Sequence, residues 1–378
     1  MSLGGCATAH SPGVSALSNT STCATASARI AFDFDGASNS SCAILGEREF
    51  EILVTPEHAP PINPSPWYGF RYEAVGSQGI WVRLQYAGAR HRYSPKLIRG
   101  TETRPLQAEV SADKSVARLS LPPGEGIVAA TELFTSARND ELISRLAALP
   151  QAERIDLGRS LDGRPVKAVR LGNPGAPGLV LLMGRQHPPE VTGAIAMEAF
   201  VTEIANRAGS GALAAGRIQF LIVPLLNPDG VARGHWRANR GATDLNRDWG
   251  QFSQPETRSV KAWLDALPTR TRPIAMIDFH STNRNQFYVQ SELEADEREE
   301  RFLANWLESN QHLLQDYPFR IERRDASPAL GTAKNWFHGT YDIPSYTYEV
   351  GDEADPEAIK RSAAHLAREF LEELVSLL

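Results

Sequence analysis

Hydrophobic and polar residues alternate in short runs over the first third of the chain. Period-two segments, separated by clusters of Pro, Gly and Asn, occupy residues 30–34, 50–54, 68–72, 79–86 and 115–121. Short strands at this spacing, without helical patterns between them, are typical of an antiparallel β-sandwich of about 100 residues. We therefore predict an N-terminal β-sandwich domain over residues 29–125, with its boundary in the run Pro122-Pro123-Gly124-Glu125-Gly126.

Beyond this boundary the pattern changes to strands that alternate with helices. Apolar residues recur at helical spacing over residues 140–149, 191–207 and 356–377, and near-continuous apolar runs occupy residues 166–171, 179–183, 218–224 and 274–279. Apolar runs of this kind between helices predict a mixed, mostly parallel sheet covered by helices on both faces. The predicted fold class of residues 126–378 is therefore α/β.

The first 28 residues are rich in Ser, Thr, Ala and Gly and show no hydrophobic period. This composition predicts a disordered tail or tether over residues 1–28. Leu3-Gly4-Gly5-Cys6 resembles the end of a bacterial lipoprotein signal, although a chance Gly-Gly-Cys is the alternative. All three cysteines lie within the first 42 residues, which suits a lipidated Cys6 and a Cys23–Cys42 disulfide in an oxidising compartment. We predict an exported periplasmic lipoprotein, with a cytosolic protein carrying three ordinary thiols as the alternative.

Charge and hydropathy exclude two classes of partner. The formal net charge of −6 and the pI near 5.9 argue against nucleic acid or an anionic membrane as the main partner, since both require a basic surface. No run of about 18 apolar residues occurs, so no membrane-spanning segment is predicted.

Polar or ionisable residues follow four of the predicted strands. His187 and Glu190 follow the strand at 179–183, Asn227 to Gly230 follow the strand at 218–224, His280 follows the strand at 274–279, and Glu349 follows a strand at 345–348. In sheets of this type, ligand sites collect at the carboxyl ends of the strands. A His and a carboxylate three residues apart can also reach one metal ion. Each residue alone has an ordinary explanation as a capping or solvated group, but together they predict one shared site.

Five motifs in this order resemble the M14-type zinc metallocarboxypeptidases, and in particular the cytosolic-carboxypeptidase-like branch with an N-terminal β domain. The motifs are His187-Pro188-Pro189-Glu190, Asn227-Pro228-Asp229-Gly230, Asp244-Leu245-Asn246-Arg247, Asp278-Phe279-His280-Ser281 and Tyr346-Thr347-Tyr348-Glu349. Trp67-Tyr68-Gly69-Phe70 and Tyr93-Ser94-Pro95-Lys96 look like the sandwich domain of that branch. The resemblance covers roughly residues 29–352.

The resemblance implies a catalytic zinc site with one Zn²⁺ per chain. His187, Glu190 and His280 would bind the ion and leave a fourth position to water. Glu349 would be the general base. Arg237 would stabilise the oxyanion of the tetrahedral intermediate, and the Trp-Arg context selects it over Arg233 and Arg240 in the same loop.

The resemblance also implies how a substrate would bind. Asn246 and Arg247 would hold the terminal carboxylate of a peptide or protein substrate. Lys334, in Gly331-Thr332-Ala333-Lys334, matches the basic residue at the floor of the side-chain pocket of the family. An ammonium group there favours substrates with C-terminal Glu or Asp. The alternative is that Lys334 points to solvent, as most lysines do, and has no part in specificity.

Two positions depart from the pattern of the family. Pro189 stands where this branch has Gly, which stiffens the turn between the two ligands. The mobile tyrosine of pancreatic-type members has no counterpart in residues 325–330, and we do not assign that role to Tyr341.

Three functions are compatible with these features. The leading prediction is a zinc-dependent metallocarboxypeptidase that removes C-terminal residues, with acidic residues (Glu or Asp) as the predicted specificity. The alternatives are a zinc deacylase or amidohydrolase of the same fold that acts on N-acyl amino acids, and an inactive peptide-binding module. The complete set of His187, Glu190, His280 and Glu349 argues against the inactive module.

Overall fold

The computed structural model describes residues 22–60, 62–209 and 216–378. The sandwich domain contains, in chain order, β1 (Thr22–Ala24), β2 (Ala28–Ala31), β3 (Ser40–Gly46), β4 (Glu49–Val54), β5 (Gly69–Ala74), β6 (Ile80–Tyr86), β7 (Lys96–Arg99), β8 (Glu102–Pro105), β9 (Ala108–Val110), β10 (Val116–Leu121) and β11 (Gly124–Ala129). One sheet has the order β1-β2-β5-β11-β7-β8 and the other β3-β4-β6-β10-β9. All pairs are antiparallel except β4 with β6, which is parallel.

Alternation along the strands builds the core of the sandwich. In β6, Ile80, Val82 and Leu84 are buried between the sheets, whereas Trp81 and Arg83 face outwards. Successive side chains of a strand point to opposite faces, so the period-two pattern in the sequence places one apolar face against the other sheet. The predicted N-terminal sandwich is confirmed in its architecture.

Two predicted boundaries of this domain are wrong. Thr22 to Ala24 form β1, which pairs with β2, so the tail predicted over residues 1–28 includes an ordered strand. Residues 1–21, with Cys6, lie outside the described residues. At the other end, β11 pairs with β5 and β7, so the sandwich extends past residue 125. The Pro122-Pro123 pair, predicted to mark the domain boundary, lies in the turn between β10 and β11 of the sandwich.

A disulfide joins the two sheets of the sandwich. It links Cys23 of β1 to Cys42 of β3, with Cα atoms 6.0 Å apart. The structure thus contains the predicted pairing of the second and third cysteines.

The larger domain contains α1 (Ser136–Ala147), β12 (Ala152–Arg159), β13 (Pro165–Gly172), β14 (Gly178–Gly184), α2 (Val191–Asn206), β15 (Ile218–Val223), α3 (Pro228–Ala232), α4 (Pro255–Asp265), β16 (Arg272–Thr282), β17 (Gln286–Gln290), α5 (Glu297–Leu303), α6 (Ser309–Gln311), β18 (Arg320–Arg324), α7 (Ala333–Tyr341), β19 (Ser345–Gly351) and α8 (Pro356–Glu373). Its sheet has the order β12-β13-β15-β14-β16-β19-β17-β18. The central strands β15, β14, β16 and β19 are parallel.

Helices cover both faces of this sheet. On one face, α1, α2 and α8 bury residues such as Leu142, Phe200 and Phe370 against the strands. On the other face, Val260 of α4 and Phe337 of α7 pack against Leu181 and Leu221. The predicted α/β class with a mixed, mostly parallel sheet is confirmed. Within the described ranges, no helix combines the length and the apolar character needed to span a bilayer.

Candidate metal centre and active site

The ends of three neighbouring parallel strands bring the predicted ligands together. The turn after β14 carries His187 and Glu190, β16 carries His280, and β19 carries Glu349. His280 and Glu349 lie within their strands rather than after them, and they are direct register partners across the β16–β19 pair. Because parallel strands end at the same edge of a sheet, these side chains meet in one place.

The turn after β14 is held by a buried arginine. Arg185 adopts a positive φ of 55°, and its guanidinium donates to the carbonyl oxygens of Pro188 (Nε, 2.9 Å) and Phe134 (Nη1, 3.0 Å). Pro189 accepts a hydrogen bond from the Val191 N–H at 2.8 Å, where α2 begins. These bonds fix the backbone on both sides of Pro189, so His187 and Glu190 point to a common position.

His187, Glu190 and His280 form a compact potential metal site. One ligand atom from each residue lies within 4.8 Å of the others. Glu190 bridges the two imidazoles, with its Oε1 2.8 Å from His187 Nδ1 and its Oε2 2.8 Å from His280 Nδ1. Burial raises the pKa of Glu190, but the two histidines outweigh this effect and lower it well below the usual range. Glu190 is therefore an anion at neutral pH.

The second nitrogen of each histidine contacts another carboxylate. His187 Nε2 lies 2.9 Å from Asp244 Oδ1, and His280 Nε2 lies 2.6 Å from Asp278 Oδ2. A carboxylate on the far nitrogen of a ligating histidine orients the ring and fixes its tautomer. This arrangement leaves both Nδ1 atoms to face the common position beside Glu190.

The donor set fits Zn²⁺. Two imidazole nitrogens and one carboxylate are ligands that zinc favours in sites with an open coordination position. A second observation supports the fit: Glu349 Oε2 is buried and has no hydrogen-bond partner among the residues that the structure describes. Burial raises the pKa of Glu349 to about 7, against an opposing effect of His280. Such a pKa suits proton transfer near neutral pH.

A cavity of about 670 Å³ opens at this site. All residues to which the sequence assigned a role line it, namely His187, Glu190, Arg237, Asn246, Arg247, His280, Lys334 and Glu349. The cavity also includes Tyr93 of the sandwich domain and Tyr288 of β17. The structure thus brings the complete predicted set together, while the chemical role of each residue stays a prediction.

The structure separates the three arginines of the loop after α3. Arg237 lines the cavity, and its Nε donates to Asp244 Oδ2 at 2.7 Å. Arg233 and Arg240 instead pair with Asp162, at 2.6 and 3.6 Å. Of these three arginines, Arg237 is therefore the one that lines the cavity.

The sandwich domain holds the backbone of Arg237. Glu57 Oε1 accepts hydrogen bonds from the main-chain N–H groups of Arg237 (2.7 Å) and Ala238 (3.0 Å). With Asp244 on the side chain, Arg237 is fixed at both its backbone and its guanidinium.

Asn246 and Arg247 lie in a single helical turn, Leu245–Arg247, which is capped by Asp244. Asn246 Oδ1 accepts from the Ala333 N–H at 2.8 Å, and its Nδ2 lies 3.4 Å from His280 Nε2. Arg247 donates from Nη1 to the Asn246 carbonyl oxygen at 2.6 Å. In the described part of the chain Arg247 forms no salt bridge, which leaves its charge available to an anion in the cavity.

Lys334 lies in the cavity wall rather than in solvent. It is 5% exposed, and its Nζ donates to the carbonyl oxygens of Val289 and Arg324, both at 3.3 Å. Burial lowers the pKa of Lys334 to about 8, so the ammonium form dominates at neutral pH. Two of its three protons are used, and the third can serve a ligand.

Several residues that organise the site have no predicted role from the sequence. Asp244 and Asp278 contact the histidines, and Glu57 reaches the Arg237 loop from another domain. The role of Asp278 could have been predicted, because Asp278 precedes His280 by two residues in a strand and both side chains therefore lie on the same face of the sheet. Glu57 carried no signal, since its partners lie about 180 positions away in the chain.

Comparisons with known proteins agree with this geometry. Residues 141–370 match the family model described as zinc carboxypeptidase, Peptidase M14. The chain belongs to the zinc carboxypeptidase family. This membership confirms the resemblance seen in the motifs, and with it the predicted enzyme class of zinc metallocarboxypeptidases at the level of the family.

Two curated relatives belong to the predicted branch. Cytosolic carboxypeptidase 6 of Mus musculus is 26% identical over 216 residues, which cover 52% of this chain and 39% of that protein. Cytosolic carboxypeptidase 2 of Homo sapiens is 34% identical over 138 residues, which cover 34% of this chain and 15% of that protein. The matching region thus spans less than half the length of either relative.

The fold is shared with a solved structure over nearly its whole length. A metallo-carboxypeptidase from Burkholderia cenocepacia is similar with a TM-score of 0.77 at 19% identity, covering 93% of this chain and 100% of that chain. The similarity therefore includes the sandwich domain as well as the larger domain.

Proposed function

We propose that the protein is a zinc-dependent metallocarboxypeptidase that removes Glu or Asp from the C-terminus of peptides or proteins. The observation that carries this proposal is the combination of two cationic side chains with the potential zinc site in one cavity. Arg247 can bind the terminal carboxylate, and buried Lys334 can pair with an acidic side chain.

His187, Glu190 and His280 would hold the zinc ion. When bound, Zn²⁺ supplies a Lewis acid that polarises the scissile carbonyl and increases the acidity of water. The Nδ1 atoms of the two histidines and the carboxylate of Glu190 already face one position. The Asp244 and Asp278 carboxylates keep the imidazoles in that orientation.

Glu349 acts as the proton carrier in the proposed reaction. Its carboxylate accepts a proton from the attacking water as the new carbon–oxygen bond forms. It then delivers this proton to the amide nitrogen as the carbon–nitrogen bond breaks, so that the amino acid leaves as an amine. Arg237 donates hydrogen bonds to the carbonyl oxygen while that oxygen carries negative charge.

Asn246 and Arg247 make the reaction specific for a chain end. A guanidinium offers paired N–H donors whose geometry matches a carboxylate, and an internal peptide bond has no such carboxylate to offer. Lys334, in the wall of the same cavity, selects among C-terminal side chains.

Hydrolysis of matched peptides tests this proposal. Blocked peptides that differ only in a C-terminal Glu, Gln, Lys or Phe are incubated with the zinc-loaded protein, and the released amino acid is quantified. We expect the highest kcat/KM for Glu and a loss of activity of roughly 10²- to 10⁴-fold in Glu349→Gln. Hydrolysis of N-acyl amino acids but not of peptides would select a deacylase, and binding of peptides without turnover would select an inactive module.

We also propose that the protein is exported to an oxidising compartment. The Cys23–Cys42 disulfide supports this proposal, because disulfides between sheets of a domain persist where thiols are not kept reduced. Free-thiol titration of protein isolated under thiol-trapping conditions tests it: a reduced Cys23–Cys42 pair in the source organism contradicts export.

A further inference from the structure

Tyr288 lines the active-site cavity but has no part in the proposed reaction. It lies on β17, which pairs on one side with β19, the strand of Glu349, and on the other side with β18. In the register of β17 with β19, Tyr288 is opposite Thr347 and Gln286 is opposite Glu349. Opposite residues of paired strands share a face of the sheet, as do residues two apart in one strand. The Tyr288 side chain therefore lies on the same face as the proposed base.

The hydroxyl oxygen of Tyr288 accepts a hydrogen bond from a fixed donor. Gln286 Nε2 donates to this oxygen at 2.6 Å. The orientation of the Gln286 amide is set in turn by Arg284, whose Nε donates to Gln286 Oε1 at 2.7 Å. Gln286 is buried, so solvent does not compete for these bonds. An amide whose oxygen is held by Arg284 presents its N–H group, and not its carbonyl oxygen, to Tyr288.

The proton of the same hydroxyl group is free to serve a ligand. Among residues 22–60, 62–209 and 216–378, the bond from Gln286 is the single hydrogen bond of the Tyr288 hydroxyl, and in it the oxygen accepts. Burial raises the pKa of Tyr288, and Glu349 and Glu322 add to this effect, so the phenol keeps its proton at neutral pH. The guanidinium carbon of Arg324 lies 5.6 Å from the centroid of the Tyr288 ring, which holds the ring on the side of β18. Tyr288 therefore offers the cavity a hydrogen-bond donor.

This donor lies at the Lys334 end of the cavity. Lys334 Nζ donates to the carbonyl oxygen of Val289, the residue after Tyr288, and to that of Arg324, both at 3.3 Å. The strands follow one another in the order β14-β16-β19-β17-β18, so Tyr288 and Lys334 lie beyond Glu349 as seen from the potential zinc site. A C-terminal residue whose scissile bond is at that site therefore extends its side chain towards both groups.

We propose that Tyr288 determines specificity by donating a hydrogen bond to the terminal oxygen of the side chain of the C-terminal substrate residue. This inference rests on the proposed function, since it requires a C-terminal residue whose side chain lies at Lys334. Lys334 selects side chains by charge, whereas a neutral O–H donor selects any side chain that ends in an oxygen acceptor, including an uncharged amide. The pocket therefore favours C-terminal Gln over an apolar residue of the same size.

The size of the expected effect depends on the charge of the acceptor. Loss of a hydrogen bond between neutral groups weakens an interaction by about two- to tenfold, and loss of one to a charged group by about ten- to 100-fold. Methionine has an unbranched side chain of similar length to that of Gln and carries no oxygen. A comparison of peptides ending in Gln and Met therefore separates the hydrogen bond from the shape of the pocket and from the charge of Lys334.

Hydrolysis of three peptides by matched variants tests the proposal. Peptides that differ only in a C-terminal Glu, Gln or Met are assayed with the wild type, Tyr288→Phe and Tyr341→Phe, of which the last removes a hydroxyl group from a half-buried tyrosine outside the cavity. In Tyr288→Phe we expect the ratio of kcat/KM for Gln to that for Met to fall by about two- to tenfold, and the ratio for Glu to Met to fall at least as much. Both ratios should stay unchanged in Tyr341→Phe. Rates that fall equally for all three peptides in Tyr288→Phe, or ratios that stay at the wild-type value, overturn the proposal.

A second variant keeps the hydroxyl group and redirects its proton. In Gln286→Glu, a carboxylate paired with Arg284 accepts the proton of the Tyr288 hydroxyl, so the substrate loses the donor although Tyr288 is intact. The ratio of kcat/KM for Gln to that for Met should fall as it does in Tyr288→Phe. Using a ratio cancels any effect of the new charge on Glu349, the register partner of Gln286. A ratio that stays at the wild-type value in this variant contradicts the direction assigned to the hydroxyl proton.

A binding measurement separates failure of this contact from failure of the proposed function. In the Glu349→Gln background, fluorescence anisotropy with labelled peptides ending in Gln and Met reports affinity without turnover. If the wild-type protein hydrolyses none of the peptides, the proposed function fails, yet tighter binding of the Gln peptide that disappears in Tyr288→Phe still supports the contact. A ratio of the two affinities that is the same with and without the Tyr288 hydroxyl overturns the contact, even where C-terminal Glu is released by the wild type.

Discussion

Lys334 is the residue whose environment determines the expected side-chain preference. It is buried in the cavity wall without a salt bridge in the described ranges, and two backbone carbonyls alone accept its protons. A buried ammonium gains most from a ligand that carries the opposite charge. The predicted acidic preference therefore depends on this one side chain.

Replacement of Lys334 by Asp should reverse the charge preference. We expect the kcat/KM for a peptide ending in Glu to fall by at least about 100-fold, since like charges in a poorly solvated cavity cost several kcal/mol. The ratio of kcat/KM for peptides ending in Glu and Lys is the measurement. Lys360→Asp, at an exposed position on α8, is the matched control and should leave the ratio unchanged. An unchanged ratio in Lys334→Asp would show that Lys334 does not contact the substrate side chain.

The preference for Glu should also depend on pH. Burial favours the neutral amine and lowers the pKa of Lys334 to about 8, so the ammonium is present below this pH and is lost as the pH rises through it. The ratio of kcat/KM for peptides ending in Glu and Gln should therefore decline between about pH 7 and pH 9. Using a ratio cancels ionisations that affect both substrates, such as that of Glu349. In Lys334→Arg, which stays charged, the decline should vanish; a ratio that is flat in the wild type contradicts the assignment.

At the scale of the elements, the close packing of α2 on β16 positions one of the predicted ligands. A Cβ atom on Gly193 would lie 2.4 Å from the carbonyl oxygen of His280 and 2.8 Å from its carbonyl carbon. These are backbone atoms, so α2 or β16 would have to move. Glycine is thus required at this position by the approach of the helix to the metal-binding strand.

Gly193→Ala should lower both stability and zinc affinity. Overpacking of this kind lowers the free energy of unfolding by about 1–3 kcal/mol. Displacement of His280 from its position also lowers the affinity for a metal ion that it binds. Thermal unfolding and zinc competition with a chelator provide the measurements. Gly339→Ala in α7 adds the same methyl group where no atom lies within 4 Å, and it should stabilise the protein by about 0.5–1 kcal/mol. Equal behaviour of the two variants would contradict the packing argument.

The loop that carries Arg237 is positioned by an element of the other domain. Glu57 follows β4 and accepts hydrogen bonds from two main-chain N–H groups of this loop. Its second oxygen, Oε2, is buried and has no hydrogen-bond partner among the described residues. Both hydrogen bonds to the Arg237 loop are therefore accepted by Oε1.

Glu57→Ala should reduce kcat more than it changes KM. Without the acceptor, Arg237 loses its backbone anchor, and a misplaced oxyanion donor costs roughly 10- to 100-fold in rate. Glu57→Gln should restore most of the activity, because its amide oxygen can accept the same two N–H groups. Steady-state kinetics on a peptide ending in Glu provide the test. If Ala and Gln reduce kcat equally, the charge of Glu57 and not its acceptor role is what matters.

At the scale of the whole molecule, the position of the site at the carboxyl ends of the parallel strands could be predicted from the sequence, because it depends only on where each apolar strand ends. His187, His280 and Glu349 were recognisable as residues at the ends of apolar runs, and parallel strands bring such ends together. Other features needed the folded chain. The edge strand β12 has only Ile155 and Leu157 as large apolar residues, both half-buried, which is too short an alternation to predict a strand. The short strand β1 is visible only through its pairing with β2.

The interface between the two domains was also beyond the reach of sequence patterns. Asp352 and Glu353 closely follow Glu349 in the chain, and they pair with Arg92 and Lys96 of the sandwich. Long-range ion pairs have no periodicity, so the choice among Arg233, Arg237 and Arg240 could be argued only from local context. In the structure, Asp162 pairs with Arg233 and Arg240, and of the three arginines Arg237 alone lines the cavity.

The proposed catalysis depends above all on a zinc ion held by His187, Glu190 and His280. The most direct test is elemental analysis of protein purified without chelators, compared with the His187→Ala and His280→Ala variants, with circular dichroism to verify folding. We expect one equivalent of zinc per chain in the wild type and a loss of zinc in both folded variants. Wild-type protein that neither retains nor takes up stoichiometric zinc, or variants that bind zinc as tightly as the wild type, would contradict the proposed zinc site.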